Sequence, residues 1–299
     1  MIFICIPVYN RLQHTINCID SIIRQEKSPD YEIIICDDGS TDGTFDYLTQ
    51  HYPEVTVLKG SGDLWWTGGT NLCINYALDK AKSDDYIFTL NNDTELFNDT
   101  LRKLYLFAKN NPKSLIGCVS LFYSDLKSIE VTAFQARRKF PFSLYHKPMY
   151  EWGKDINSIH SEYEAVDSLS GKGVLVPVEV FSQIGLYNFE KLPHYHSDTE
   201  FVRRAVGAGY QAYIYYRAKL KSHQDLSGVG QINNAPDIKK FLKSFFILRS
   251  SNHLTTQYNR AKLIYSSRWP VYFLFNNFYI VYQFLSRYIH FIVQRFSKI

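Results

Sequence analysis

Three segments of the chain carry residue types that could do chemistry on a phosphorylated, hydroxyl-bearing substrate. The first is His194-Tyr195-His196-Ser197-Asp198-Thr199-Glu200-Phe201, followed by Arg203 and Arg204. Asp198 and Glu200 open a helix there, where the macrodipole favours negative charge. A carboxylate so placed can take a proton from a hydroxyl as that oxygen attacks. The second is Leu90-Asn91-Asn92-Asp93-Thr94-Glu95, directly after an apolar run. A carboxylate at a strand end can hold a divalent cation, which in turn holds a diphosphate. The third is Ser222-His223-Gln224-Asp225, whose lone histidine is either a structural side chain or a ligand.

Three further segments look suited to binding. Pro7-Val8-Tyr9-Asn10-Arg11 and Cys36-Asp37-Asp38-Gly39-Ser40-Thr41-Asp42 offer an aromatic face and a carboxylate edge, which together would grip a nucleotide base. The plain structural reading of the second is a turn and a helix cap. Asp63-Leu64-Trp65-Trp66-Thr67-Gly68-Gly69-Thr70-Asn71 sets a tryptophan pair before two glycines and an expected helix start. Glycines let a backbone approach a ligand closely, and a helix N-terminus favours phosphate. A tryptophan-plugged core turn is the alternative.

The elements that must position these groups follow from periodicity. Residues 2–6, 32–36, 55–59 and 86–90 read as buried strands, and 11–25 and 70–82 as helices, with Asn10 as a cap for the first. A short helix carrying Phe45 and Leu48 is expected after a Ser40 or Thr41 cap. Such alternation predicts an α/β fold with a mostly parallel, helix-covered sheet. Ligands bind beyond the carboxyl ends of strands in such sheets, and the polar segments fall at those ends. Residues 115–180 are less regular: more strands, a Lys-, Tyr- and Trp-rich loop around 137–165, and then Ser170-Gly171-Lys172-Gly173 before VLVPV. A helix is expected from near Asp198 to Gly207.

In this order, IPVYN, DDGSTD, WWTGGTN, LNNDTE, SGKG, SDTEF and His223 resemble the family-2 inverting glycosyltransferases of the GT-A fold, over roughly residues 2–225. The style of WWTGGTN and LNNDTE is similar to bacterial rhamnosyltransferases and galactofuranosyltransferases. The resemblance implies a Rossmann-like sheet and a nucleotide-diphosphate sugar donor, such as dTDP-rhamnose or a UDP-sugar. It implies a glycan or lipid-linked acceptor and a divalent metal, Mn²⁺ or Mg²⁺. Pro7, Tyr9, Asn10, Arg11, Asp37, Asp38, Trp65, Trp66, Gly69, Asn71 and Asn92 would bind the donor. Asp93 and His223 would bind metal, and Asp198 would be the base. Gly171, Lys172, Gly173, Glu200 and Arg204 are acceptor-side candidates. Two departures matter: Asn91 stands where the motif has its first acid, and Ser197 where a Glu precedes the base. Asn91 keeps open a competing class, a non-catalytic glycan- or nucleotide-binding protein on the same fold. A nucleotidyltransferase would show a glycine- and basic-rich loop after the first strand, which Pro7-Val8-Tyr9-Asn10 lacks.

Composition bounds the setting. The chain has 299 residues, 23 Tyr, 21 Phe and a net charge of +4. Its five cysteines are scattered, with no CxxC pair, and read as buried free thiols. From Ile238 to Ile299 there is no Asp or Glu, while Lys239, Lys240, Lys243, Arg249, Arg260, Lys262, Arg268, Arg287, Arg295 and Lys298 make the stretch strongly basic. No nucleic-acid recognition motif accompanies it, so no nucleic-acid partner is expected. We therefore divide the chain into a catalytic domain, 1–235, and a basic, aromatic-rich helical extension, 236–299. Residues 269–299 lack the roughly 20 uninterrupted apolar residues that a span needs. An amphipathic helix lying on an anionic membrane, or packing in a homo-oligomer, is the expectation. With free thiols and an apolar run at 2–6 too short for a secretory core, this suggests a cytoplasmic protein, peripheral on the inner face of the cell membrane.

Overall fold

The computed structural model describes residues 1–130, 132–139, 143–223 and 236–296. Gln224, Asp225, Lys298 and the expected domain boundary at 235 fall outside these. The chain begins β1 (Ile2–Val8), α1 (Leu12–Ile23), β2 (Tyr31–Asp37), α2 (Thr44–His51), β3 (Thr56–Lys59), α3 (Trp65–Leu78), β4 (Tyr86–Thr89). It continues with β5 (Thr94–Leu96), α4 (Thr100–Asn110), β6 (Ser114–Phe122), β7 (Ile129–Glu130), β8 (Ala133–Lys139) and β9 (Ser143–Pro148). Then come β10 (Tyr163–Ala165), β11 (Ser168–Leu169), β12 (Val174–Pro177), α5 (Val178–Ile184), α6 (Ser197–Gly207) and β13 (Gln211–Ser222). The extension is helical: α7 (Ile238–Ser244), α8 (Leu254–Tyr265) and α9 (Trp269–Phe296).

Among the described residues the main sheet runs β10-β13-β6-β12-β4-β1-β2-β3, with β5 on β13 and β7 on β6. Pairing is parallel through β4, β1, β2 and β3, and between β6 and β13. β12 runs antiparallel to both β4 and β6, so the sheet is more mixed than the alternation predicts. β8, β9 and β11 form a small second sheet. The central strands are apolar because helices cover both faces: Ile2, Ile4, Ile6, Ile33 and Ile35 pack with α1 on one side, and Phe3, Cys5, Ile34, Cys36 with Cys73 and Ile74 of α3 on the other. All five cysteines are free and buried.

Three helix starts differ from the sequence expectation. α3 begins at Trp65, five residues before the expected 70, so the tryptophan pair and Gly68-Gly69 lie inside its first turns. The glycines serve helix packing: a Cβ on Gly69 would sit 3.1 Å from Pro7 of β1, and one on Gly68 would sit 2.9 Å from the Phe189 ring. α2 is preceded by Gly43 in the left-handed region, and Asp42 rather than Ser40 or Thr41 accepts from the Thr44 N–H. Asn10 does not cap α1 with its side chain, since Arg11 occupies that position.

Candidate active site

β2 lies on one side of β1 and β4 on the other, so the chain order reverses at β1. A cleft of about 1960 Å³ opens beyond the carboxyl ends of these strands, where open α/β sheets bind ligands. Of the seven described non-glycine residues with positive φ, four line it: Asn10, Arg11, Trp65 and His196. Left-handed backbone at such residues costs free energy and is retained where function demands a particular chain path.

At one end, the loops after β1 and β2 are stitched together. The Asn10 N–H donates to Ser40 Oγ at 2.7 Å, and Asn10 Oδ1 accepts from the Thr41 N–H at 2.8 Å. Tyr9 stands on the rim, 45% exposed. Asp38 is almost fully buried and accepts twice from the main chain, from Gly62 at 2.8 Å and from Trp65 at 2.9 Å. Each such bond to a charged group is worth about 1.5–3 kcal/mol. Asp38 thus fixes the start of α3 and holds Trp65 at φ 57°.

The floor is a chain of contacts leading to Asp198. The Trp66 indole N–H donates to Asn91 Oδ1 at 2.8 Å. The same ring covers Gly171 so closely that a Cβ there would lie 2.3 Å from it. The Gly171 N–H donates to Asp198 Oδ2 at 2.8 Å, and the Thr199 N–H to Oδ1 at 2.7 Å. Burial pushes the Asp198 carboxyl above its ordinary range, although both N–H donors and the charge of Arg260 pull the other way. A more basic carboxylate suits proton removal near neutral pH. Ser197, which stands where the motif has Glu, is buried with its hydroxyl 2.7 Å from that of Thr67. Beside Gly171, Lys172 Nζ pairs with Glu130 at 2.9 Å and reaches Ser222 Oγ at 3.1 Å. Burial opposes both charges, but their mutual attraction prevails, raising the Lys172 pKa and lowering that of Glu130.

Asp93 is the group suited to a cation. It is buried and lines the cleft; Arg11 Nη1 lies 3.4 Å from its Oδ2, and its Oδ1 has no hydrogen-bond partner among the described residues. Mg²⁺-type sites commonly use one or two carboxylates and complete the shell with substrate phosphates and water, so this donor set fits a diphosphate-bound metal. The expected second ligand, His223, is bonded to Asp93 through the main chain and directs its ring to Glu95. The His223 N–H donates to the Asp93 carbonyl at 3.1 Å, but its ring Nε2 is 3.1 Å from Glu95 Oε1 and its face stacks on Tyr123 at 4.1 Å. No group of three or more metal-ligating side chains occurs among the described residues.

Pro7, Tyr9, Asn10, Arg11, Asp38, Trp65, Trp66, Asn92, Asp93, Gly171, Lys172 and Asp198 all line the cleft, and Asp37, Gly69, Asn71, Gly173, His223, Glu200 and Arg204 do not. Asn71 bonds both ways with the Tyr187 main chain. Asp37 is buried at the end of β2, accepting from Ser40. Glu200 and Arg204, expected on the acceptor side, lie on α6 outside the cleft lining. They pair with each other, at 2.9 Å, and Arg204 also donates to the carbonyls of Ile184 and Leu186, bracing α6 against the chain after α5. Sequence reasoning missed Glu130, which sits in an irregular stretch with no pattern around it. It named His194 only as the first residue of the segment leading to Asp198, with no role of its own, and it missed Arg249 as a site residue. The basic bias of the extension was the only signal for Arg249, and nothing in one dimension places that residue against Tyr9 and Trp65.

Comparison with known proteins follows the same lines. The chain is 35% identical over 118 residues to the poly(ribitol-phosphate) beta-glucosyltransferase of Bacillus spizizenii, covering 38% of this chain and 18% of that one. It is 34% identical over 110 residues to the chondroitin synthase of Escherichia coli, covering 34% and 16% respectively. It therefore spans under a fifth of either relative's length. Among solved structures it resembles GalNAc-T7, crystallised with UDP, GalNAc and Mn²⁺, with a TM-score of 0.63 at 12% identity over 91% of this chain and 49% of that one. It also resembles residues 1–349 of S. aureus TarS, with a TM-score of 0.54 at 12% identity over 100% of this chain and 92% of that one. These likenesses establish the GT-A fold. The model of glycosyl transferase family 2 matches residues 3–160, from β1 through the Asp93 strand end and beyond, and the chain belongs to that family.

Proposed function

We propose that the protein is an inverting glycosyltransferase, specifically a hexosyltransferase, that moves one sugar from a nucleotide-diphosphate sugar to a hydroxyl of a glycan acceptor. The observation that carries this reading is Asp198: a carboxylate made more basic by burial, bonded to Gly171, opening into the same cleft as Asp93 and Tyr9. Tyr9 would face the base, with Trp65, Asn10 and Arg11 lining the donor pocket toward the ribose and phosphates. Asp198 takes the acceptor proton as the new bond forms, and the sugar inverts in one in-line displacement. A retaining double displacement would need a carboxylate nucleophile, and Glu200 is turned away to Arg204. A divalent cation held by Asp93 would supply Lewis-acid neutralisation of the leaving diphosphate.

The relatives named for polymers of sugars and polyol phosphates support a polysaccharide or lipid-linked acceptor of the cell envelope. Residues 1–235 would form the catalytic domain and 236–299 an extension that rests on an anionic membrane. α9 has 28 residues, with Leu274 67%, Phe278 69%, Tyr282 59% and Ile289 60% exposed. No described helix is long and apolar enough to cross a membrane, so an interfacial position suits it. The test is a panel of UDP-, dTDP- and GDP-sugars, dTDP-rhamnose included, offered with glycan acceptors. Release of nucleoside diphosphate coupled to an inverted anomeric product supports the assignment, and a product with retained configuration or no transfer with any donor defeats it.

A further inference from the structure

Arg249 belongs to the segment between α7 and α8, far in sequence from every motif that carries the family resemblance. Its guanidinium lies 5.5 Å from the centre of the Tyr9 ring and 5.4 Å from that of Trp65, where cation–π attraction holds it. No carboxylate of the described residues forms an ion pair with it. Its effect on the neighbourhood falls on His194, whose ring lies tilted against Trp65 with centres 5.4 Å apart. Burial first, and then the Arg249 charge, lower the His194 pKa to about 4. The segment is built rather than loose. The Leu254 N–H donates to the Phe245 carbonyl at 3.0 Å, that of His253 to Ser250 at 3.1 Å, and Asn252 Nδ2 to Ser244 Oγ at 3.1 Å.

A cation without a carboxylate partner among the described residues, fixed between two aromatic faces at the rim of a cleft, is arranged to meet an anion. Tyr9 is the face proposed for the nucleobase, Trp65 lines the donor pocket beside it, and Asp93 lies in the same cleft. An arginine fork matches phosphate oxygens in pairs. We infer that Arg249 is a donor-binding residue of the glycosyltransferase site, contacting the diphosphate of the nucleotide sugar, so that the helical extension completes the active site. This rests on the nucleotide-sugar reading above.

Binding of UDP, dTDP and GDP to the full chain, with uridine, thymidine and guanosine as phosphate-free controls, is measured by calorimetry with and without Mn²⁺. Arg249→Ala should weaken the preferred nucleoside diphosphate roughly ten- to a hundredfold, leave the matching nucleoside within about twofold, and keep the melting temperature. Arg249→Lys should recover part of the loss, because it restores charge without the fork. Equal loss for nucleoside and nucleoside diphosphate would overturn the phosphate contact and make Arg249 a stacking element. No loss for either, with wild type binding normally, would overturn the assignment alone. Wild type binding none of the nucleotides would overturn the nucleotide-sugar reading itself. A loss confined to acceptor KM, with diphosphate affinity unchanged, would move the contact to an acceptor phosphate and equally overturn it.

Discussion

Asp198 holds its place through two main-chain donors, so its carboxylate is oriented before any substrate arrives. Asp198→Asn keeps the size of the side chain and removes its ability to take a proton. We expect turnover to fall by a factor on the order of 10²–10⁴ while the affinity for nucleoside diphosphate stays within a few-fold. Steady-state rates read by nucleoside diphosphate release, beside calorimetry, check this, and full turnover in the variant would assign the base elsewhere. The pH dependence follows from the same environment. The acting form is the carboxylate and burial raises its pKa, so kcat/KM should climb with pH through a limb lying above the ordinary carboxylate range. The limb should vanish in Asp198→Asn. Asp93 gives a second expectation at this scale. Its Oδ1 lacks a partner among the described residues, so chelation by EDTA should abolish transfer and Mn²⁺ should restore it at least as well as Mg²⁺. Asn91 is legible in sequence only as a missing acid. In the fold its Oδ1 is taken by the Trp66 indole, which an aspartate there would also accept. Undiminished activity in excess chelator would rule the metal out.

At the scale of elements, the cleft depends on how α3 meets the loop before β12. Trp66 lies across Gly171, which has no Cβ, and Gly171 in turn donates to Asp198. Gly171→Ala would put a methyl carbon 2.3 Å from the ring, which the ring must leave. Overpacking of this kind costs about 1–3 kcal/mol, and here it also breaks the Trp66–Asn91 bond. We expect urea unfolding to show that loss and kcat to fall with it. The two tryptophans, adjacent in sequence, should separate in their effects. Trp65→Ala exposes Arg249 and should raise the donor KM. Trp66→Ala removes packing against Tyr187, whose ring lies 5.6 Å away, and should lower the melting temperature first. If both variants change only the melting temperature, the aromatic pair is a core feature and not a donor surface. The helix period was legible here, but its start was not. Trp65 enters α3 at a left-handed φ of 57° under the pull of Asp38, 27 residues earlier, and local propensity carries no trace of that contact.

At the scale of the whole molecule, the extension has two faces. Phe284 stacks on Phe241 at 4.0 Å, and Arg287 and His290 line the cleft, while Leu274, Phe278 and Ile289 point to solvent. Removing the whole extension would open the cleft as well as the surface, so the membrane proposal is better tested by substitution. Leu274→Asp, Phe278→Asp and Ile289→Asp together should abolish flotation with anionic liposomes at low salt. They should leave the melting temperature and the rate with a soluble acceptor unchanged. If the unsubstituted chain stays in the soluble fraction, or if the triple variant still floats, α9 does not dock on lipid. A concentration-dependent sedimentation coefficient would then identify its exposed face as a contact between copies.

The linear chain by itself determined the strands β1, β2 and β4, the helices that alternate with them, the buried thiols and the polar segments at strand ends. Each follows from local periodicity or from a turn, and both are written within a few residues. The same reading marked Asp93, Asp38 and Tyr9, because a strand end in an α/β sheet is where ligands bind, and marked Asp198 by its place at a helix start in SDTEF. The tertiary structure decided what those groups face. It set Glu200 and Arg204 to brace α6, turned the His223 ring to Glu95, antiparallel β12 into the sheet, and brought Arg249 of the extension to Tyr9. These outcomes depend on contacts between residues tens to hundreds of positions apart. Side-chain partners at that separation are chosen by packing and by the need to pair buried polar groups, which no window along the sequence contains.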